Sequence, residues 1–421
     1  MKFGGTSVAD AERIKRAARR IVEKREQGFQ VVAVLSARGK TTDELIAMAE
    51  EVSSDPDPRE MDMLLSTGER ISCALCAMAI HDMGHRAISL TGSQAGIVTD
   101  TSHTKARILE VRADRVQEAL HEGNIVLVAG FQGVSTASDV TTLGRGGSDT
   151  TAVAVAAALK ARECEIYTDV SGVFSADPRI VPEARKLELV SFEEMLEMAA
   201  SGAGVLQLRS VEYARNHGVR IHCRSSFEDC PGTVVISEGE SMEHLEKPLI
   251  TAVTHSTSEA MVTLTGVRHE PGVAATIFEA LAERNVNVDM IDQNVPTSTG
   301  GQAEISFTVP HEDLRDARAA LQPLQGEVFT DLAANEQMGK VSIVGAGMRS
   351  HPGVAAKVFR VLTDEGINIQ MISTSPIKIS CVIERDRVAP AVQALHSAFE
   401  LSGPGSIAQE EPFEQRQAAS S

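Results

Sequence analysis

The segment His269-Glu270-Pro271-Gly272-Val273-Ala274-Ala275 recurs as Ser350-His351-Pro352-Gly353-Val354-Ala355-Ala356, so that Pro352 stands 81 positions after Pro271. The register holds through Phe278 and Phe359, Leu281 and Leu362, Asn287 and Asn368, and Met290-Ile291 and Met371-Ile372. Each copy opens on a strand-like run (residues 261–264; 341–344), followed by a Pro-Gly turn. A helix of about three turns and another strand come next. That order is a βαβ opening, predicted to close as a small α+β unit. Duplication for stability alone explains such a repeat; two copies pairing to form ligand pockets at their interface is the functional alternative.

The first half of the chain alternates periods. Ile14, Ala17, Ala18, Ile21 and Val22 fall on one face of a helix that Gly28 can end. Residues 31–35 are continuously apolar, as in a strand buried on both faces. Strands are predicted again at 87–90, 125–129, 164–168 and 219–223, with helices between them. This βαβα order predicts an α/β domain with a mainly parallel sheet. The pattern changes near Cys230-Pro231-Gly232, and residues 237–247 are polar and acidic. The expected domains are therefore 1–236, a linker at 237–250, a first repeat at 251–335 and a second repeat with a tail at 336–421.

A net charge of -18, from 58 acidic and 40 basic residues, excludes the basic face that nucleic acid or an anionic membrane requires. No run of about 18 apolar residues predicts a membrane span, and the N-terminus does not read as a signal peptide. Six cysteines among 421 residues do not form a disulfide framework. Cys73 and Cys76 lie in an apolar helical run and are expected as buried thiols, because no second ligand pair follows at zinc spacing. A cytoplasmic protein is the expectation.

Two glycine turns lead into helices. In Lys2-Phe3-Gly4-Gly5-Thr6-Ser7 the glycines let backbone approach an anion, and the lysine can set a point charge on a phosphate. In Gly144-Arg145-Gly146-Gly147-Ser148-Asp149 the arginine can grip a carboxylate through a two-pronged fork. Either turn alone reads equally as an ordinary loop. Gly39-Lys40-Thr41 is not a P-loop ending, since Val34 stands where the required glycine would be. Ser36 and Thr41 nevertheless follow a strand and can face a site at its carboxyl edge. Glu69 reads as a first-turn acid or as a ligand for an ammonium group. The run from Tyr167 to Phe174, with Asp177-Pro178-Arg179, leaves a strand for a polar turn that fits a nucleotide pocket or an ion-paired loop.

Taken together, KFGGTSV, SARGKTTDEL, MLLSTGERIS, GFQG, TTLGRGGSDTTA, IYTDVSGVFSADPR and LRSVEYAR resemble the aspartate kinases, a group within the amino acid kinase family. The C-terminal repeats resemble tandem ACT domains. The resemblance implies a three-layer αβα domain followed by two ferredoxin-like ACT domains. It implies transfer of the ATP γ-phosphoryl group to the side-chain carboxylate of L-aspartate, a step that opens lysine, threonine and methionine biosynthesis. Mg²⁺ would be held through the ATP phosphates, with no protein carboxylate ligating it. Lys2 would stabilise the transferring phosphoryl group, oriented by Asp149, with Gly4, Gly5 and Ser7 supporting the phosphates. Arg145 would hold the substrate α-carboxylate and Glu69 its α-ammonium, with Thr41 and Ser148 completing that pocket. Thr168, Asp169, Phe174 and Arg179 would hold the nucleotide.

By the same resemblance the ACT pair would sense lysine or threonine or both, through Gly272, Ala274, Gln293 and Asn368. Partners would be a second copy of the chain, or a short ACT-only subunit started internally, for which Met242 is a candidate. The chain departs from the group's pattern at several places. Only Met1 precedes Lys2, where several strand residues are usual, so weak activity is expected of the chain as written. Gly204 replaces a usual lysine and Ser171 a usual aspartate, Arg38 and Lys40 make their loop more basic, and Pro376 stands where an acid is common. Weaker ATP binding is expected from Gly204, and reduced lysine sensitivity from Pro376. The alternatives are a catalytically weak regulatory subunit that binds amino acids, and a kinase for another acidic amino acid.

Overall fold

The computed structural model describes residues 1–237, 249–294, 302–351 and 353–403. Met242 lies outside them. The chain divides into two compact units. One comprises Met1–Val173, Lys186–Ala199 and the segment from Gly204 through the strand Thr233–Ile236; the other comprises Phe174–Arg185, Ala200–Ala203 and the described residues from 249 onward. The sequence gives no sign of this excursion, and a continuous first domain to residue 236 was the expectation. Its cause is apolar: Phe174, Ala176, Val181 and Ala184 are buried in the C-terminal core with Val253, Val341 and Val358.

The N-terminal unit is built on an eight-stranded sheet. Its order is Leu189–Ser191, Thr233–Ile236, Ile221–Ser225, Cys164–Thr168, Lys2–Phe3, Val32–Leu35, Ile125–Ala129 and Ala87–Leu90. Every pairing is parallel except that between Ile221–Ser225 and Thr233–Ile236. Parallel strands need crossovers, and the helices that supply them cover both faces. The helix Ala11–Glu26 is capped by Asp10, whose carboxylate accepts from Arg13 N–H at 2.9 Å. Its Ile14, Ala17, Ala18 and Ile21 pack with Cys73, Cys76 and Ile80 of the helix Thr67–Asp82 against Phe3, Ala33, Leu35 and Leu127. Val34 alternates to the opposite face, where Gly147–Ala158 lies. The two central residues Lys2 and Phe3 are thus paired on both sides, and Phe3 stacks on Tyr167 at 4.8 Å between ring centroids.

The helical stretch Pro58–Asp82 is long and apolar enough to cross a membrane by length and composition alone, but half of its apolar window is buried inside the protein. It turns at Ser66 between Pro58–Leu65 and Thr67–Asp82 and carries Cys73, Cys76 and Ile80 into the core. Burial pushes the Cys76 thiol up to about 12 and Cys73 well above its ordinary value.

A second sheet, ordered Ile108–Val111, Ile97–Thr99, Gln132–Ser135 and Val140–Thr142, ends in the hairpin that feeds the Gly144–Asp149 turn.

The C-terminal unit holds one six-stranded antiparallel sheet, ordered Ile291–Asn294, Ala303–Pro310, Ala252–Val267, Asp331–Val344, Lys378–Glu384 and Met371–Ser375. The long central strands serve both repeats. Residues from Thr263 onward pair with 331–333, while Ala252, Val253 and Thr254 pair with Val344, Ile343 and Ser342. The sheet of the second repeat is therefore completed by residues that precede the first. Each repeat has its own core, and Met290, Met338, Met371 and Val382 form a smaller cluster of their own.

Candidate active site

The carboxyl ends of three adjacent parallel strands converge on Gly4 and Gly5. Ser36 N–H donates to Phe3 O at 3.1 Å, Gly4 N–H to Tyr167 O at 3.3 Å, and Gly39 N–H to Gly5 O at 3.0 Å. These bonds bring the Lys2–Ser7 turn, the Ser36–Thr41 loop and the end of Cys164–Thr168 together. A Cβ on Gly5 would stand 2.9 Å from Ala37 O, so the close approach of the two loops requires glycine there. Ser7 is buried with its Oγ 2.5 Å from Ser226 Oγ, and Ser226 N–H donates to Thr168 O at 2.8 Å. Ser226 carries no motif signal and was not anticipated.

Lys2 and Asp149, 147 residues apart in the sequence, meet in an ion pair with Nζ 2.6 Å from Oδ1. Asp149 lies in the first turn of Gly147–Ala158, where the helix N-terminus stabilises its negative charge. The glycine turn itself is enforced at Gly146, which has φ +72° and whose Cβ would overlap the Gln207 side chain. Arg145, at the turn's tip, is exposed, and no hydrogen bond or ion pair to its guanidinium occurs among the described residues. Ser148 is buried, its Oγ close to Gly130.

Glu69 is 3% exposed. Its Oε1 accepts from Ala37 N–H at 3.2 Å, while its Oε2 is buried with no hydrogen-bond partner among the described residues. Burial raises its carboxyl to about 7, against the opposing pull of that backbone bond and of Arg70. An orphaned buried carboxylate oxygen is costly unless a cation or donor arrives. Thr41 joins this group, its methyl facing the backbone of Gly68 next to Glu69.

Thr168 and Asp169 stand at the strand end, with Thr168 Oγ1 3.1 Å from Asp169 Oδ1. Phe174 and Arg179 belong to the segment Phe174–Arg185 of the C-terminal unit. Phe174 is 7% exposed in the core of the C-terminal unit, so its ring is committed to packing. The Arg179 guanidinium is clamped on Asp177, with Nη2 2.7 Å from Oδ2. Gly204 is exposed, with open space where its Cβ would be.

Glu163, Glu165 and His222 gather oxygen and nitrogen atoms at a spacing that suits a metal ion. Glu165 is already matched by Lys24 at 2.7 Å and Arg224 at 3.2 Å, and His222 Nε2 lies 2.6 Å from Pro231 O. A further cation there would have to displace two others.

In the C-terminal unit, Gly272 (φ +97°) and Ala274 start the helix Val273–Glu283, and Gln293 is exposed on Ile291–Asn294. Asn368 is exposed just ahead of Met371–Ser375. Those two strands are opposite edges of the sheet, so one chain does not bring Gln293 and Asn368 into a single pocket. A cavity of about 420 Å³ does lie at the second Pro-Gly turn, between Met348, His351, Thr374, Pro376 and Ile379, and its described lining has no carboxylate.

The fold and the two facing glycine turns define a phosphotransferase of the amino acid kinase type joined to paired regulatory repeats. Residues 1–225 match the amino acid kinase family, and residues 262–323 and 341–399 match the ACT domain. An aspartokinase from Mycolicibacterium smegmatis is 56% identical over 404 residues, covering 96% of both chains. Aspartokinase III from E. coli, solved with aspartate and ADP in an R-state, superimposes with a TM-score of 0.80 at 26% identity, covering 94% of this chain and 98% of that one. The same enzyme with lysine and aspartate, in a T-state, gives a TM-score of 0.70 at 26% identity with the same coverage. The chain belongs to the aspartokinases of the amino acid kinase family, enzymes that transfer a phosphoryl group to a carboxyl acceptor.

Proposed function

We propose that the chain transfers the γ-phosphoryl group of MgATP to the side-chain carboxylate of L-aspartate, and that the Lys2–Asp149 pair is the centre of that chemistry. The observation that carries this reading is the convergence of the two glycine turns on that pair. A free carboxylate titrates near 3.9, so the nucleophile is ionised at neutral pH and needs no general base. A carboxylate oxygen forms a bond to the γ-phosphorus, the bond to the ADP oxygen breaks, and ADP leaves with that electron pair. No proton moves. The barrier lies in bringing two anions together, so the protein's contribution is position and positive charge.

Lys2 neutralises the transferring group, and Asp149 holds the lysine in place. The Gly4 and Gly5 backbone and Ser7 receive phosphate oxygens, and Thr168 and Asp169 flank the nucleotide. Arg145 takes the α-carboxylate, while the orphaned Oε2 of Glu69 takes the α-ammonium, with Thr41 and Ser148 alongside. Mg²⁺ would be held through the ATP phosphates rather than by a protein carboxylate, and would supply further positive charge to the transferring group. Trapping the product with hydroxylamine tests the assignment: an aspartyl hydroxamate formed only with both substrates supports it, and its absence despite ATP turnover removes it.

The ACT repeats report the level of an amino-acid end product, lysine or threonine. The absence of a carboxylate from the described lining of the cavity at the second Pro-Gly turn favours a neutral side chain there over a lysine ammonium. Inhibition by threonine exceeding that by lysine is expected; unchanged activity at millimolar amounts of either removes the regulatory claim. The exposed edge strands, with Ile291 55% and Ile372 48% exposed, are where a second copy or a short ACT-only subunit would pair. A cytosolic setting suits the six unpaired thiols.

A further inference from the structure

Asp62 lies outside every motif that the function absorbs, yet its residue is 0% exposed and its carboxylate is fully engaged. It accepts from His103 Nδ1 at 2.7 Å, from Thr104 N–H at 3.1 Å and from Thr142 Oγ1 at 2.5 Å. These partners belong to the two segments that shape the arginine turn. Thr142 ends the strand that runs into Leu143, Gly144 and Arg145. Thr104 lies against Gly144, whose Cβ would stand 3.2 Å from Thr104 O. The segments are stitched together further by Ala106 N–H to Thr142 O at 2.9 Å. Arg209 donates to Leu143 O at 2.7 Å and to Ala106 O at 3.1 Å.

Thr104 has φ +65°, a left-handed conformation that non-glycine residues adopt only when their surroundings hold them there. The bond from its N–H to Asp62 is such a hold. Asp62 also sits on Pro58–Leu65, which turns at Ser66 into the helix that carries Glu69. One buried carboxylate therefore joins the helix leading to Glu69 with the loop that supports Arg145.

We propose that Asp62 is a positioning residue for the amino-acid pocket: it fixes the Gly144–Arg145 turn through Thr104 and Thr142. This rests on the reading of Arg145 and Glu69 as the groups that hold the substrate's α-carboxylate and α-ammonium. Among the described residues the hydrogen bonds and ion pairs of the Asp62 carboxylate go to His103, Thr104 and Thr142 and none to Lys2, Gly4 or Gly5, so the nucleotide side of the site is held independently of it.

Steady-state kinetics of Asp62→Asn tests the proposal. A misplaced binding group costs on the order of tenfold or more, so KM for L-aspartate rises about tenfold while KM for ATP and kcat stay within about twofold. Thr104→Gly in the Asp62→Asn background restores much of that loss, because glycine keeps φ +65° without the clamp. A fall in kcat with both KM values shifted alike, or an unmoved KM for aspartate, overturns the proposal. Should Asp62→Asn fail to fold, Thr142→Val removes one hydroxyl at nearly constant volume. It is expected to raise KM for aspartate selectively by a smaller factor, and an unchanged value overturns the proposal. Wild-type protein lacking aspartate-dependent turnover sinks the underlying reading; wild-type turnover with unshifted variants sinks the role of Asp62 alone.

Discussion

Lys2 Nζ and Asp149 Oδ1 lie 2.6 Å apart, joining the central strand Lys2–Phe3 to the N-terminus of Gly147–Ala158. Both side chains are mostly buried, at 12% and 7% exposure. The pair places a fixed positive charge at the point where the two glycine turns meet, already oriented before any substrate binds. Removing the charge while keeping the stem, in Lys2→Met, is expected to lower kcat by about 10²–10³-fold and, because it leaves Asp149 buried without its cation, to lower the melting temperature as well. Asp149→Asn is expected to lower kcat by a smaller factor, since the lysine remains but is less well held. Rapid-quench measurement of ADP formation checks both.

Glu69 sets a pH dependence for the amino acid alone. Its carboxyl is raised to about 7 by burial, and only the carboxylate form attracts an ammonium group. Above pH 7 the binding form dominates. As pH falls below 7 the carboxylate fraction drops about tenfold per unit, and KM for aspartate rises in parallel. KM for ATP does not follow it. Glu69→Gln is expected to raise KM for aspartate at all pH values and to flatten this profile between pH 6 and 8 (roughly one unit either side of the titration). An unaltered profile in that variant would show that another group titrates.

Arg145 presents a planar fork, and lysine keeps the charge without the fork. Arg145→Lys is expected to raise KM for aspartate about tenfold while leaving KM for ATP within twofold, in keeping with the loss of one charge-assisted bond. Initial-rate kinetics with each substrate varied in turn gives the answer.

Gly204 has open space around its Cβ position, so a side chain fits there without repacking. Gly204→Lys adds a positive charge that an anionic nucleotide can use, and KM for ATP is expected to fall several-fold. Nucleotide titration by calorimetry is the direct check; an unchanged affinity would mean that this position lies outside the nucleotide's reach.

Within the C-terminal unit, buried Lys340 has its Nζ 3.3 Å from Glu259 Oε1 and also pairs with Asp289. Lys340→Ala leaves Glu259 buried without its cation. A loss of about 3–5 kcal/mol is expected, read by urea unfolding of the whole chain. Lys340→Met with Glu259→Gln is expected to recover part of it.

The candidate residues come in short contiguous motifs, several of them at the carboxyl ends of strands that a parallel sheet sets side by side. Lys2, Thr41, Glu69, Arg145 and Asp149 could be proposed from such motifs. Asp62 could not be, because a lone aspartate in a helix reads as a solvated charge until its three partners are seen to come from residues at least 41 positions away. That residues 174–185 belong to the C-terminal unit was not legible either. The segment follows directly on the strand end at Thr168, and its apolar residues 174, 176, 181 and 184 are buried in the core of the C-terminal unit. The repeat was plain from its Pro-Gly turns, but the strand Ala252–Val267 serves both copies. No local signal in 252–256 announces a pairing with 340–344, since register between distant strands is set by the whole sheet.

The most direct measurement is ADP production by the purified chain with ATP and Mg²⁺, comparing L-aspartate with L-glutamate. The account predicts turnover that depends on aspartate and is nearly absent with glutamate, whose extra methylene would push the side-chain carboxylate out of line with the phosphorus. Equal turnover with both acids, or none with aspartate, would contradict it.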